Sequence, residues 1–204
     1  MIQVKNLTVA LGGKTIIDNL SFSLDKGKKM AIIGGSGTGK TTLLNTMAGF
    51  IPNFKGTILI DNIALNPTNI ATIRSQIAWL PQDTSLNVKT VEELFYAPFN
   101  LQANKKQKPS KQEILEIFDA FELSESLLLK DSRDISGGQK QRIILASCIL
   151  LHKPLLLIDE PTSALDKTIK EKVTDYVLGI KELTILAVTH DKYWMDQSDD
   201  ILSL

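Results

Sequence analysis

Three short segments carry the residues that could do chemistry. Gly34-Gly35-Ser36-Gly37-Thr38-Gly39-Lys40-Thr41-Thr42 fits G-x-x-x-x-G-K-[ST], with an apolar strand-like run before it and a helical pattern after it. Glycines in such a loop let backbone N–H groups turn inward at a helix N-terminus, where they and the helix dipole favour phosphate oxygens. Lys40 has the reach and charge for β and γ oxygens, and the Thr41 hydroxyl suits one position on Mg²⁺. Leu155-Leu156-Leu157-Ile158-Asp159-Glu160 puts two carboxylates at the end of an aliphatic run. Asp159 is the expected metal partner of Thr41, and Glu160 could polarise an attacking water as a general base. Ser136-Gly137-Gly138-Gln139 opens another helical pattern with a hydroxyl and flexible backbone, a second anion site in one chain. One ATP has one γ-phosphate, already held by the first loop. The simplest arrangement gives the second site to a nucleotide bound by another copy.

These segments need a scaffold that brings strand ends together. Met30–Ile33, Thr57–Ile60, Ile77–Leu80, Leu155–Ile158, Ile185–Val188 and Ile201–Leu204 read as short strands. Residues 40–48, a helix capped by Ser110 with Glu113, one from Ser136 to about Leu151, and 167–178 read as helices. Strands alternating with helices predict an α/β fold with parallel crossovers. Strand signals vanish between about 83 and 135, which predicts an inserted helical lobe. Its segment Lys105-Lys-Gln-Lys-Pro-Ser-Lys111 reads as a solvated loop.

Together these motifs resemble the ATP-binding cassette (ABC) ATPases, over nearly the whole chain from Val4 to Leu204. The resemblance implies a phosphate-loop (P-loop) NTPase fold with an ABC-type core (about 1–82 and 136–204) and the inserted helical lobe (about 83–135), one nucleotide-binding domain in all. It makes Gly34–Thr42 the Walker A loop and Ser136-Gly137-Gly138-Gln139-Lys140-Gln141-Arg142 the signature. Leu155–Asp159 becomes Walker B, with Glu160 the catalytic glutamate. Ser163-Ala164-Leu165-Asp166 becomes the D-loop, Gln82 the Q-loop glutamine on catalysis and Mg²⁺, and His190 the switch histidine. It further implies ATP and Mg²⁺ as ligands, an ATP-dependent homodimer, and a separate transmembrane permease that holds the chain on the cytoplasmic face of the membrane. Leu11 stands where the family often has an adenine-stacking aromatic, so base discrimination is expected to be weak. Residues 90–102 resemble the small ATPases of the iron-export group.

Composition sets the bounds. The chain has 204 residues, 43% of them hydrophobic, with 23 basic and 23 acidic side chains and no net charge. No global field draws it to nucleic acid, which disfavours a soluble ABC-type ATPase of DNA repair or translation. Intact Glu160 and His190 disfavour a nucleotide sensor without turnover. The longest apolar stretch, Ile143 to Leu151, is far short of the ~20 residues that cross a bilayer. No signal peptide is visible at the N-terminus. The one cysteine, Cys148, reads as a packed small hydrophobe, and His152 as favourable charge at a helix C-terminus. Phe95, Tyr96, Pro98 and Phe99 either form a docking surface for the permease or pack inside the helical lobe.

Overall fold

The computed structural model describes residues 1–83 and 86–204. A five-stranded parallel sheet lies at its centre, in the order β6-β7-β8-β3-β9. These strands are β3 (Lys29–Ile33), β6 (Ile77–Leu80), β7 (Leu155–Asp159), β8 (Thr184–Val188) and β9 (Asp200–Ser203). Every residue of β7 and β8 is buried, as expected for strands covered on both faces. Their period-2 alternation divides the core. Leu155, Leu157, Leu186 and Val188 face one hydrophobic cluster, while Leu156, Ile158, Ile185 and Ala187 face another. Truncating such a leucine to Ala costs about 2–5 kcal/mol.

The first cluster is closed by helix α1 (Lys40–Met47), through Leu43, Leu44 and Met47, and by a second, antiparallel sheet. That sheet runs β2-β1-β4-β5, from β1 (Ile2–Leu11), β2 (Lys14–Leu24), β4 (Phe54–Ile60) and β5 (Ile63–Ala64). The strand expected at Thr57–Ile60 is therefore real but belongs to this sheet, paired with β1. A two-residue turn at Gly12-Gly13, both at positive φ, joins β1 to β2, the backbone a tight hairpin requires. Helix α2 (Ile70–Ser75) packs beside β6.

The second cluster is helical. Among the described residues, 86–136 hold helices α3 (Val91–Tyr96) and α4 (Lys111–Ala120), three 3₁₀ turns and one isolated β-bridge, Thr90 to Asp131. Capping boxes start both helices, Thr90 with Glu93 and Ser110 with Glu113. Phe95 and Phe99 are fully buried, and Phe95 meets Phe118 edge-on at 5.6 Å. They pack inside the lobe, so the docking reading fails for these two; Tyr96 is half-buried. Helix α5 (Gly137–Ile149) and helix α6 (Lys167–Gly179) complete this face, with Trp194 of α7 (Lys192–Gln197) buried beneath them. Arg142 of α5 donates to the carbonyls of Phe121 and Glu122, which ties α5 to the end of α4. Cys148 is buried as expected, and burial pushes its thiol up to about 12. His152 lies beyond the end of α5 and reaches across to Glu113 of α4, Nε2 to Oε1 at 3.1 Å. It thus sits just past the C-terminus of α5, where the sequence placed it, and also bridges to α4.

Candidate nucleotide site and the turn at Ser136

The phosphate loop leaves the end of β3 and enters α1, as its sequence requires. Gly34 has φ +151°, and a Cβ there would lie 2.5 Å from the backbone oxygen of Leu204, just past β9. Gly39 has φ +101°, and its Cβ would press on Ile16 and Ile17 of β2. Both positions need glycine for the path of the loop. Lys40 Nζ donates to the carbonyls of Gly34 (2.9 Å) and Gly35 (2.8 Å), which holds the ammonium over the loop with one N–H left.

Strand β7 delivers the acidic pair. Thr41 Oγ1 donates to Asp159 Oδ2 at 2.6 Å, so the hydroxyl and carboxylate converge at one point. Asp159 is 2% exposed. Burial raises its carboxyl, while the Thr41 hydroxyl and the Lys40 charge pull it down. An all-oxygen set of hydroxyl, carboxylate and the nearby Gln82 amide fits a small hard cation such as Mg²⁺.

Glu160 takes φ +55°, a left-handed conformation costing of order 1–3 kcal/mol in a non-glycine residue. Its N–H donates to the Val188 carbonyl at 2.9 Å. Burial raises its carboxyl, and His190, with Nε2 3.5 Å from Glu160 Oε1, opposes that rise. Ser36, Gly37, Gly39, Lys40, Thr41, Thr42, Gln82, Asp159, Glu160 and His190 all line one cavity of about 330 Å³, with Ile16 and Val188 on its walls. Sequence reasoning missed Ile16: the cavity meets it rather than Leu11, which is 43% exposed on β1. A larger cavity of about 610 Å³, beside His152, Lys153 and Tyr176, holds no phosphate-loop residue, so its size does not make it the nucleotide site.

Residues 136–139 stand apart from this cavity. Ser136 Oγ accepts from Gln139 N at 3.1 Å, and Ser136 N donates to Gln139 Oε1 at 2.9 Å, a capping box that starts α5. Ser136 and Gly137 are exposed, and a Cβ on Gly137 would meet nothing within 4 Å. Gly138 differs: its Cβ would lie 2.7 Å from the Ala164 carbonyl oxygen. The structure thus gathers Gln82, Lys40, Thr41, Asp159, Glu160 and His190, and leaves the Ser136 turn facing outward.

A parallel sheet whose strand ends carry a phosphate loop and an adjacent acidic pair defines a P-loop NTPase. The family is narrower than that. The ABC transporter sequence profile matches residues 17–163, and the chain belongs to that family as an ATP-hydrolysing subunit. It is 31% identical to the probable iron export ATP-binding protein FetA of Escherichia coli (strain K12), over all of this chain and 91% of that protein. It is 30% identical to the energy-coupling factor transporter ATP-binding protein EcfA of Aster yellows witches'-broom phytoplasma (strain AYWB), over all of this chain and 75% of that one. Among solved structures it resembles the dimeric post-hydrolysis state of the ATP-binding cassette MJ0796 bound to ADP and Pi. There the TM-score is 0.84 at 27% identity, covering all of this chain and 94% of that one.

Proposed function

We propose that two copies of the chain enclose two ATP molecules, each held by the phosphate loop of one copy and the Ser136 turn of the other. The outward, uncrowded Ser136-Gly137 turn carries this reading: it has an anion-binding form, yet no part of it lines its own chain's nucleotide cavity. Gly34–Thr42 cradle the phosphates, with the remaining N–H of Lys40 for the γ-phosphate. Ser136, Gly137, Gly138 and Gln139 close on the γ-phosphate from across the dimer. Thr41, Asp159 and Gln82 hold Mg²⁺, which when bound neutralises phosphate charge. Glu160 takes a proton from the attacking water as the P–O bond to ADP breaks, and His190 beside it orients the carboxylate. Residues 1–82 and 136–204 act as the nucleotide core and 83–135 as a lobe that meets a transmembrane permease. The exposed Leu129 and the groove beside Tyr96 and Leu128 form part of that docking face. No helix among the described residues is long and apolar enough to cross a membrane. The likeness to a probable iron export protein supports metal export as the transport class, to be checked by metal efflux from vesicles carrying subunit and permease.

Complementation tests the shared site. Lys40→Ala disables the phosphate loop, and Gly137→Asp places a carboxylate at the open face of the turn. Gly138→Asp would instead collide with Ala164 of its own chain. Each homodimer has two defective sites, but a mixed dimer concentrates both lesions in one. Random pairing then restores phosphate release to at most about a quarter of wild type in a symmetric two-chain assembly. The pair is also built on Glu160→Gln and scored for retained ATP. Mixing that restores neither turnover nor retained ATP, with both variants folded, refutes the arrangement.

A further inference from the structure

Gln141, one turn into α5, is 8% exposed, and its amide is used at both ends. Nε2 donates to the backbone carbonyl of Glu160 at 2.7 Å and to Ser163 Oγ at 3.2 Å. Oε1 accepts from Ala164 N at 3.1 Å. The first of these bonds lands on the residue whose φ of +55° is otherwise unfavourable. Left-handed backbone at a non-glycine persists only where the surroundings over-determine it. Here the Val188 carbonyl fixes the N–H side of Glu160, and Gln141 with Ser163 Oγ fixes the carbonyl side. The Glu160 backbone cannot turn without breaking that clamp.

We propose that Gln141 is a positioning residue for Glu160, and that it links the Ser136 turn to the catalytic turn of its own chain. The link is short. Gly138 packs directly on the Ala164 carbonyl, and Gln141 grips the same loop from the next turn of α5. A displacement of the Ser136 turn therefore reaches Glu160 through side chain and backbone atoms in contact. Because the inference rests on the shared-site reading and on Glu160 as base, it implies that nucleotide engaged by one half-site sets the carboxylate of the other.

Two substitutions test it. Gln141→Met keeps the volume and removes all three hydrogen bonds. Gln141→Glu keeps an acceptor for Ala164 N but turns a carboxylate toward the Glu160 carbonyl. Both are expected to lower kcat about tenfold, the scale of losing a buried hydrogen bond, with KM for ATP and ADP affinity within about twofold of wild type. The pH profile separates positioning from packing. Burial raises the introduced carboxyl and protonation gives it an O–H donor, so the kcat of Gln141→Glu relative to wild type rises on acidification, while that of Gln141→Met stays flat. Glu160→Gln is run alongside. If it retains full turnover, the base reading falls and this inference falls with it. If Glu160→Gln stops turnover while both Gln141 variants keep wild-type kcat, only the role of Gln141 is overturned. Parallel loss of ATP affinity, melting temperature and kcat, or failure of both variants to fold, assigns Gln141 to folding and overturns the proposal.

Discussion

The phosphate loop and the Ser136 turn are both glycine-bearing starts to helices, and the chain treats them in opposite ways. The phosphate loop is finished internally. Its lysine bonds back to Gly34 and Gly35, its threonine meets Asp159, and Leu204, Ile16 and Ile17 crowd its glycines. The Ser136 turn carries its own capping box and rests on the Ala164 carbonyl through Gly138, but Gly137 faces open space. On the proposed shared-site reading, the motif that its own chain completes makes a site, and the one whose Gly137 stays open makes half of one. The comparison teaches where to look for a partner: at the motif with the emptier surroundings.

Glu160→Gln should show the largest effect and tests whether the finished site alone does the chemistry. An amide takes no proton from water, so kcat should fall by about 10²–10⁴-fold while ATP stays bound. The wild-type rate should also report the carboxyl directly. A base must be deprotonated, and burial raises this group above its usual 4.5, so activity should be lost on acidification at a higher pH than for an ordinary glutamate. A pH profile of kcat checks this, and an apparent value at or below 4.5 breaks it.

Lys40→Ala comes next. Losing a charge-assisted contact should weaken ATP by about 100-fold by calorimetry. Affinity within twofold of wild type would mean that the backbone nest suffices.

A matched pair of glycine substitutions sharpens the contrast between the regions. Gly34→Ala forces a Cβ against a backbone oxygen at positive φ and should cost more than about 2 kcal/mol of stability. Gly137→Ala meets open space and should change stability by less than about 1 kcal/mol, while ATP-dependent dimerisation weakens. Thermal melts and size exclusion with ATP measure both. Equal destabilisation would erase the distinction.

The smallest effect belongs to Leu11→Tyr. Leu11 is exposed on the hairpin that carries Ile16 to the cavity. An added ring should tighten ATP by roughly 0.5–1.5 kcal/mol if adenine has no other stacking partner. A wild type that already prefers ATP strongly over GTP, and gains nothing from Tyr, would show that the base is held elsewhere.

Fully buried aliphatic strands and capping boxes were the legible parts of the fold. β3 and β6 to β9, and the helices opened by Ser110 and Ser136, fall within one or two residues of where pattern puts them. The antiparallel sheet was less visible. β1 begins with clean alternation at Ile2 and Val4, but Asn6 at φ +51° and register shifts between Val4 and Val9 break the period. α2 and α7, at six residues each, are too short for helical periodicity to accumulate. Of the site, the phosphate loop, Asp159 and Glu160 were legible because each residue type is dictated by its chemistry. Gln141 was not, because its partners lie in a loop 19 to 23 positions downstream. Nothing about a glutamine on a helix foretells a grip on a backbone carbonyl. The aromatics at 95–99 show the remaining ambiguity, since apolar side chains alone do not say whether a core or a partner covers them.

The position of β3 in the sheet also governs the order in which the molecule can be made. Its two neighbours are β8 and β9, so the strand that leads into the phosphate loop has no sheet partner until Thr184 onward emerges, 151 positions after Ile33. At about 5–20 residues per second, translation leaves that aliphatic strand unpaired for roughly 8–30 s. The nascent chain therefore carries a complete phosphate-loop sequence long before it has a loop able to hold a nucleotide. In that interval the backbone N–H and C=O groups of β3 lack the sheet partners they have in the folded protein.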